Sequence, residues 1–410
     1  MAVKEKTFDL IIVGAGPAGS AAALYAHRAG LRALLLEKEQ FPRDKICGDA
    51  ISGKSMTILN ELNLLDELQH QPCALVDSIT FGSPDHRQVN IPFHRQENSN
   101  LPTGLVVRRQ VFDHFLFSKA AQVTDEVYEN CQVTDLIVEN DQVCGVRTKT
   151  NDNRDLQFRG RLILGADGFK SIVARKTNLY RHDPEHWVVA LRQYYQDVEG
   201  LDHQIELHYV DEVQPGYLWL FPLDDGKANV GIGMHHNSMR KRKIDLKKAM
   251  ANALRQPPFA ERFGKAKALE EPKGWNLPVG SIKRKSYGNG FMLLGDAAGL
   301  IDPFTGEGIG NALYSARAAV RTAEQALQVN DFSESFLARY EQGLWAEIGD
   351  ELAVSTKLQK IGRNRFLLNF VINKAARSKQ VKELISGMMA NQIPKTRLAN
   401  PLFYLKLLFS

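Results

Sequence analysis

Long apolar runs are missing from this sequence. No stretch approaches the roughly 18 uninterrupted apolar residues that a spanning helix needs, so an integral membrane protein is not expected. Cysteine is scarce and scattered: Cys47, Cys73, Cys131 and Cys144 stand far apart with no C-x-x-C pair. That spacing signals neither a zinc centre nor a disulfide scaffold and fits a reducing, cytoplasmic setting. His235 and His236 have no third ligand beside them and read as turn residues, so no metal site is expected. There is no internal repeat and no low-complexity linker. With 44% hydrophobic and 24% charged residues, the composition excludes collagen-like, coiled-coil and wholly disordered chains.

A length of 410 residues suits two domains or one elaborated domain. The apolar run from Phe8 carries a glycine-rich motif that removal of a signal peptide would destroy, so the chain is expected to start at residue 1. Net charge is +5, unevenly spread: Lys357 to Ser410 holds eleven Lys or Arg against one acid, Glu383. The rest of the chain is therefore net acidic. A basic tail on an acidic body points to an anionic surface near the C-terminus, not to nucleic-acid binding.

The opening segment reads as one unit, with the apolar run FDLIIV, the turn GAGPAG, the alanine-rich helix SAAALYAHRAG and a second strand LRALLLE. A loop, FPRDKICGD, precedes a helical pattern that runs to about Glu67, and strand-like pieces follow near Ser78 to Ile91. VFDHFLFSKAAQ reads as a helix, QVTDLIVENDQVCGVRTK as a hairpin and RLILGADG as a buried strand. From about residue 185 to 282 the texture changes to strand-length runs broken by Asp-Gly and Gly signals, as in an antiparallel domain. A buried strand returns at GFMLLGDAAG, before an Ala-rich helix from about Glu307 to Gln328.

The expected fold class is thus α/β plus α+β, with a discontinuous Rossmann-like domain (residues 1–75, 100–182 and 283–335). A mostly antiparallel sheet domain for substrate is inserted into it (76–99 and 183–282), and a basic helical region (336–410) follows.

Gly14, Gly16 and Gly19 fit G-x-G-x-x-G, which permits a tight turn and lets backbone N–H groups approach a pyrophosphate at a helix N-terminus. Glu37 ends the next strand, where a carboxylate can accept from ribose hydroxyls. Further along, a strand exit carries Asp296, and PFTGEGI opens the Ala-rich helix. A carboxylate there can hold a ribityl hydroxyl, while the helix N-terminus stabilises the negative charge of a reduced flavin. Helix packing alone at the glycines and simple capping by Asp296 are the plainer alternatives.

Taken together, GAGPAG with Glu37, Arg109-x-x-Phe112-Asp113, GADGFKSIVAR and GDAAGLIDPFTGEG resemble the FAD-dependent oxidoreductases of p-hydroxybenzoate-hydroxylase-like fold, over about residues 7 to 330. The resemblance implies that Gly14, Gly16, Gly19 and Glu37 bind the ADP part of FAD and that Arg109 and Asp296 contact its linker. It also implies that Asp167 supports the nucleotide, that Gly308 and Ile309 lie against the flavin, and that Pro17, Ala18, Lys38 and Val133 complete the set. The loop Pro42 to Asp49 and the strand Tyr217 to Pro222 further resemble the C-G-[DE] loop and Y-x-W-x-F-P strand of geranylgeranyl reductases. Alternation places Tyr217, Trp219 and Phe221 on one face, where they can wall an apolar cavity or serve ordinary sheet packing. Cys47 is then a positioning group or proton donor beside the flavin, unless it is a small buried hydrophobe. Tyr217 is an equal candidate for the proton.

The implied reaction is FAD-dependent reduction of C=C bonds in an isoprenoid or other apolar substrate. The alternative is an aromatic monooxygenase or halogenase using oxygen; halogenases of this superfamily typically carry W-x-W-x-I-P, and here the strand reads YLWLFP. A third alternative, a lapsed flavoprotein acting as a binding module, sits poorly with complete FAD motifs. No second G-x-G-x-x-G is visible, so the electron donor is either NADPH bound transiently or a ferredoxin-like protein. The tail segments RFLLNFVINKAAR, KELISGMMA and PLFYLKLLF, set among cations, suit either peripheral membrane contact or packing on the FAD domain.

Overall fold

The computed structural model describes residues 7–93 and 102–389. Its first sheet is built around a parallel core in the order Phe291–Leu293, Asp155–Gly165, Thr7–Val13, Ala33–Leu36 and Glu126–Tyr128. The runs within it are almost wholly buried, Leu34, Leu35 and Leu36 at 0–1% exposure, as expected of parallel strands covered on both faces. Helix Pro17–Arg28 packs on helix Ile309–Val329 over this sheet. The hairpin Cys131–Glu139/Gln142–Thr150 continues the sheet by pairing antiparallel with the first half of Asp155–Gly165. All the parallel strands end on the same side, so Gly14, Glu37, Asp167 and Asp296 are delivered to one edge, where open α/β sheets bind ligands.

A second sheet runs Lys267–Ala268, Trp187–Gln196, Lys227–His235, Gly216–Pro222, Gln204–His208, Ser78–Gly82 and Gln88–Pro92. It is antiparallel apart from the parallel pair Gln204–His208 with Ser78–Gly82. Its two faces differ. Leu218, Leu220, Val230, Ile232 and Met234 join Ala249, Met250 and Ala253 of helix Leu246–Leu254 in one core. Tyr217, Trp219 and Phe221 point the other way, towards the first sheet, and register places them opposite Gly233, Gly231 and Asn229.

Local chemistry adjusts two expected boundaries. The helical pattern expected up to Glu67 is two helices, Gly53–Glu61 and Leu65–Leu68, broken at Asn63 with φ +58°, a conformation Asn tolerates. The Ala-rich helix begins at Ile309 instead of Glu307, because the Glu307 carboxylate stays outside and accepts from Gly310 N at 2.5 Å. In the C-terminal region, helix Glu334–Ile361 packs on Ile309–Val329. The next two helices, Arg365–Arg377 and Lys379–Met389, pack instead on strand Gln88–Pro92 of the second sheet, through Leu368, Ile372, Ala375 and Val381. The described parts of RFLLNFVINKAAR and KELISGMMA thus pack on the second sheet, not on the FAD domain as the tail alternative had it. The end of KELISGMMA and all of PLFYLKLLF lie outside the described residues. Among the described residues no helix is long and apolar enough to cross a membrane.

Candidate active site

One cavity of about 1120 Å³ lies between the carboxyl edge of the first sheet and the aromatic face of the second. Its lining takes in Gly14, Gly16, Pro17, Ala18, Glu37, Lys38, Arg109, Val133, Asp167, Asp296, Gly308 and Ile309, together with Cys47, Tyr217, Trp219 and Phe221. Of the residues expected at the site, only Gly19 is not on this surface. A Cβ on Gly19 would stand 1.8 Å from Gly14 O, so this glycine lets the helix close on the strand and does not face the cavity.

At the nucleotide end, Gly14 has φ +94°, and a Cβ there would meet Ala166 O at 2.6 Å; only glycine passes so close to the Asp167 turn. Glu37 is buried, and its carboxylate accepts from Ala15 N at 2.8 Å and Glu39 N at 3.1 Å. It therefore braces the glycine turn while still facing the cavity. Asp167 accepts from Ile172 N at 2.6 Å, while its other oxygen is buried with no well-formed partner in the protein. Burial pushes this carboxyl up, against hydrogen bonds from Ser171 and Ile172. A buried acceptor without a donor, beside a glycine turn at the start of helix Pro17–Arg28, fits a polyhydroxyl, pyrophosphate-bearing ligand such as FAD. Val133 is buried beside this end, and Lys38 is exposed, 3.7 Å from Glu39.

The middle of the cavity is polar. Arg109, buried at the start of helix Arg109–Ala121, donates to both oxygens of the fully buried Asp113 at 2.6 and 2.8 Å, and Arg43 adds a bond to Asp113 at 2.9 Å. Burial raises the Cys47 thiol, opposed by the neighbouring Arg109 charge, so the sulfur stays protonated at neutral pH. Lys45 lies 3.7 Å over the Trp275 ring. Burial lowers its ammonium to about 8, with Asp296 pulling the other way.

The far end is apolar. Tyr217, Trp219 and Phe221 form a continuous row with ring centroids 6.2 and 6.5 Å apart, continued by Ile205, Leu207 and Tyr209. Tyr217 donates its hydroxyl to Thr305 O, in the loop before helix Ile309–Val329, and burial pushes its pKa above the usual phenol range, making it a weaker acid.

Three residues not expected from the sequence organise this end. A Cβ on Gly231 would fall 1.9 Å from Trp219 Cζ2, so the indole lies flat across the neighbouring strand where that strand has no side chain. Its Nε1 donates to Asn229 Oδ1 at 2.8 Å, and Asn229 Nδ2 donates to Cys47 O at 2.8 Å and to Asp49 Oδ2 at 2.7 Å. A signal for Asn229 was available: it is a polar residue in the middle of KANVGIGM, on the same face as two glycines. Asp49 is the acidic residue of the C-G-[DE] loop, and the motif gives it no partner.

A dinucleotide cradle at the end of a parallel sheet, joined by one cavity to an apolar wall, defines a flavoprotein oxidoreductase. Residues 7–342 match the FAD binding domain family model. Digeranylgeranylglycerophospholipid reductase of Thermoplasma volcanium is 30% identical over 344 residues, 82% of this chain and 83% of that protein. A second protein of that name, from Methanococcoides burtonii, is 33% identical over 354 residues, 84% and 82% of the two chains. Among solved structures, a geranylgeranyl bacteriochlorophyll reductase-like protein of Thermoplasma acidophilum superposes with TM-score 0.83 at 25% identity, covering 96% of this chain and 98% of its own. A flavin-dependent brominase shares the fold, with TM-score 0.77 at 21% identity over 97% and 99% of the chains. The chain belongs to the geranylgeranyl reductase family of FAD-dependent oxidoreductases.

Proposed function

We propose that this enzyme reduces C=C bonds of an isoprenoid lipid, and the observation that carries the proposal is the joining of the FAD cradle to the Tyr217–Trp219–Phe221 wall in a single cavity. Its volume, about 1120 Å³, exceeds the roughly 300–1,000 Å³ of ordinary ligand pockets, leaving an apolar lobe beside a dinucleotide. The names of the two archaeal relatives support a substrate of that class. On this reading Gly14, Gly16, Pro17, Ala18, Glu37, Lys38, Val133 and Asp167 hold the ADP half of FAD. Arg109 and Asp296 hold its linker, Gly308 and Ile309 abut the ring system, and the second sheet is the substrate domain.

Reduced FAD supplies the hydride when bound. The protein then has to orient the alkene, exclude water and provide a proton. Trp219 and Phe221 confine a planar apolar chain to one layer. Cys47 is the better proton source of the two candidates: its thiol is kept protonated by burial, whereas the Tyr217 proton is committed to Thr305 O. Tyr217 instead ties the apolar wall to the loop that opens helix Ile309–Val329.

The test is to reduce the FAD-loaded protein without oxygen and compare reoxidation by a geranylgeranyl lipid with reoxidation by air. Fast lipid-dependent reoxidation with a saturated product is expected. No response to lipid, with a long-lived flavin–oxygen adduct in air, would replace this reading with a monooxygenase or halogenase. We also propose that the C-terminal region meets a lipid surface, supported by Phe366, which is 84% exposed on a helix that opens at Arg365, two residues after Arg363.

A further inference from the structure

The cysteine loop and the aromatic wall lie side by side, and a buried side chain of the second sheet is hydrogen-bonded to both. Asn229 is 0% exposed and uses its amide in both directions, accepting from Trp219 Nε1 and donating to Cys47 O and Asp49 Oδ2. Asp49 is also 0% exposed. It accepts from Tyr194 OH at 2.8 Å and from Arg109 N at 3.2 Å, besides the bond from Asn229. It stands at φ +69°, a left-handed conformation that Asp adopts more readily than most residues and that the surrounding bonds hold here. Next to it, a Cβ on Gly48 would reach Phe221 Cε2 at 3.1 Å, so the loop is pressed against the wall it is bonded to.

Every named bond of this cluster ends on a group that lines the cavity or on the backbone beside one. We propose that Asp49, acting through Asn229, is the positioning residue that sets the distance between the Cys47 thiol and the Trp219 ring, and thereby aligns an alkene between proton source and wall. The inference rests on the proposed reduction but is tested separately from it. If the pair only tied two sheets together, removing it would loosen the whole protein. If it sets alignment, removing it spares the cofactor end and damages what happens between Cys47 and Trp219.

The experiment uses FAD-loaded Asp49→Leu, which removes both acceptor oxygens at 49, and Asn229→Asp, which still accepts from Trp219 but removes the donor to Asp49 and to Cys47 O. Both singles are expected to lower kcat for lipid-dependent reoxidation by about ten-fold or more, with bound FAD and reoxidation by air within about two-fold of wild type. Alkylation of Cys47 by iodoacetamide, read by peptide mass spectrometry, should speed up several-fold and Trp fluorescence should shift. Asp49→Asn, which keeps an oxygen to accept from Asn229 Nδ2, should recover most of both. Singles that lose FAD and air reoxidation in step with lipid turnover, or that leave Cys47 alkylation unchanged, would overturn the proposal. If a single change prevents folding, Tyr194→Phe removes one bond to Asp49 and should give the same pattern at smaller size; an unaltered alkylation rate there would overturn it too. Should wild-type protein ignore the lipid, the reduction reading fails, while alkylation and fluorescence still decide the role of Asp49.

Discussion

Cys47 and Tyr217 are both weak acids at the same cavity, and what separates them is what each proton is already doing. The Tyr217 hydroxyl donates to Thr305 O, so moving that proton breaks a buried hydrogen bond; the Cys47 thiol sits beside Arg109, whose charge eases its release. Cys47→Ala is therefore expected to slow lipid-dependent reoxidation by about 10²-fold or more, the usual contribution of a general acid. Tyr217→Phe should cost less than about ten-fold on the same grounds, and stopped-flow measurement at saturating lipid distinguishes the two. Asp49 carries a pH signature of its own. Burial lifts its carboxyl from 3.8 to about 6, against Arg192, Tyr194 and Asn229. The folded protein thus holds this proton more tightly than the unfolded chain. Its contribution to stability is present in full below about pH 4 and is lost as pH rises through about 6. The difference in unfolding free energy between wild type and Asp49→Asn should fall by up to about 3 kcal/mol over that window. A difference that stays flat between pH 4 and 7 would remove this account.

At the scale of elements, strand Lys227–His235 is as informative for what it lacks as the aromatic strand is for what it has. Gly231 leaves room for Trp219, and Gly233 lies opposite Tyr217. The large side chains of one strand therefore fill the space above its neighbour, and the cavity keeps a smooth wall. Gly231→Ala would place a methyl 1.9 Å from Trp219 Cζ2 and 2.4 Å from Leu191 O. The backbone oxygen cannot yield cheaply, so the indole has to leave Asn229, at the roughly 1–3 kcal/mol typical of overpacking. The expected result is a lowered melting temperature and a raised KM for lipid with FAD still bound, checked by calorimetry and steady-state kinetics. An unchanged KM would show that Trp219 does not touch substrate. The glycine motif at the other end works by the same close-approach logic, and there it was readable, because G-x-G-x-x-G is a local pattern between a strand and a helix.

In the whole molecule the cysteine loop acts as a bridge. Arg43 anchors it to Asp113 on the FAD side, and Asp44 meets Arg192 at 2.7 Å and Lys273 at 3.2 Å on the inserted sheet. Arg192 is 0% exposed, so one of the charges that hold the two sheets in register is buried. The C-terminal helices cover the edge strand of the same sheet and leave Phe366 outward at 84% exposure. Together with the basic tail, this predicts sedimentation with vesicles containing anionic lipid, reduced several-fold by Phe366→Ser and by salt that shortens the Debye length from about 10 Å to about 3 Å. No binding at low salt would confine the tail to packing.

The sequence by itself determined whatever depends on neighbours along the chain. This includes the glycine turn before a helix, Glu37 at the end of the next strand, the helix opened by PFTGEGI, and the alternation that puts Tyr217, Trp219 and Phe221 on one face. From these the cofactor and the family were legible. Only the tertiary structure decided which groups from distant segments touch. Asp49 and Asn229 are separated by 180 positions, and nothing periodic links them. Glu37 turned out to brace Ala15, Tyr217 to bond Thr305, and the last two helices to choose the inserted sheet over the FAD domain. Local patterns record the conformations a segment can adopt; a buried hydrogen bond between distant segments records which of their surfaces lost water together, and one strand's spacing carries no trace of its partner's.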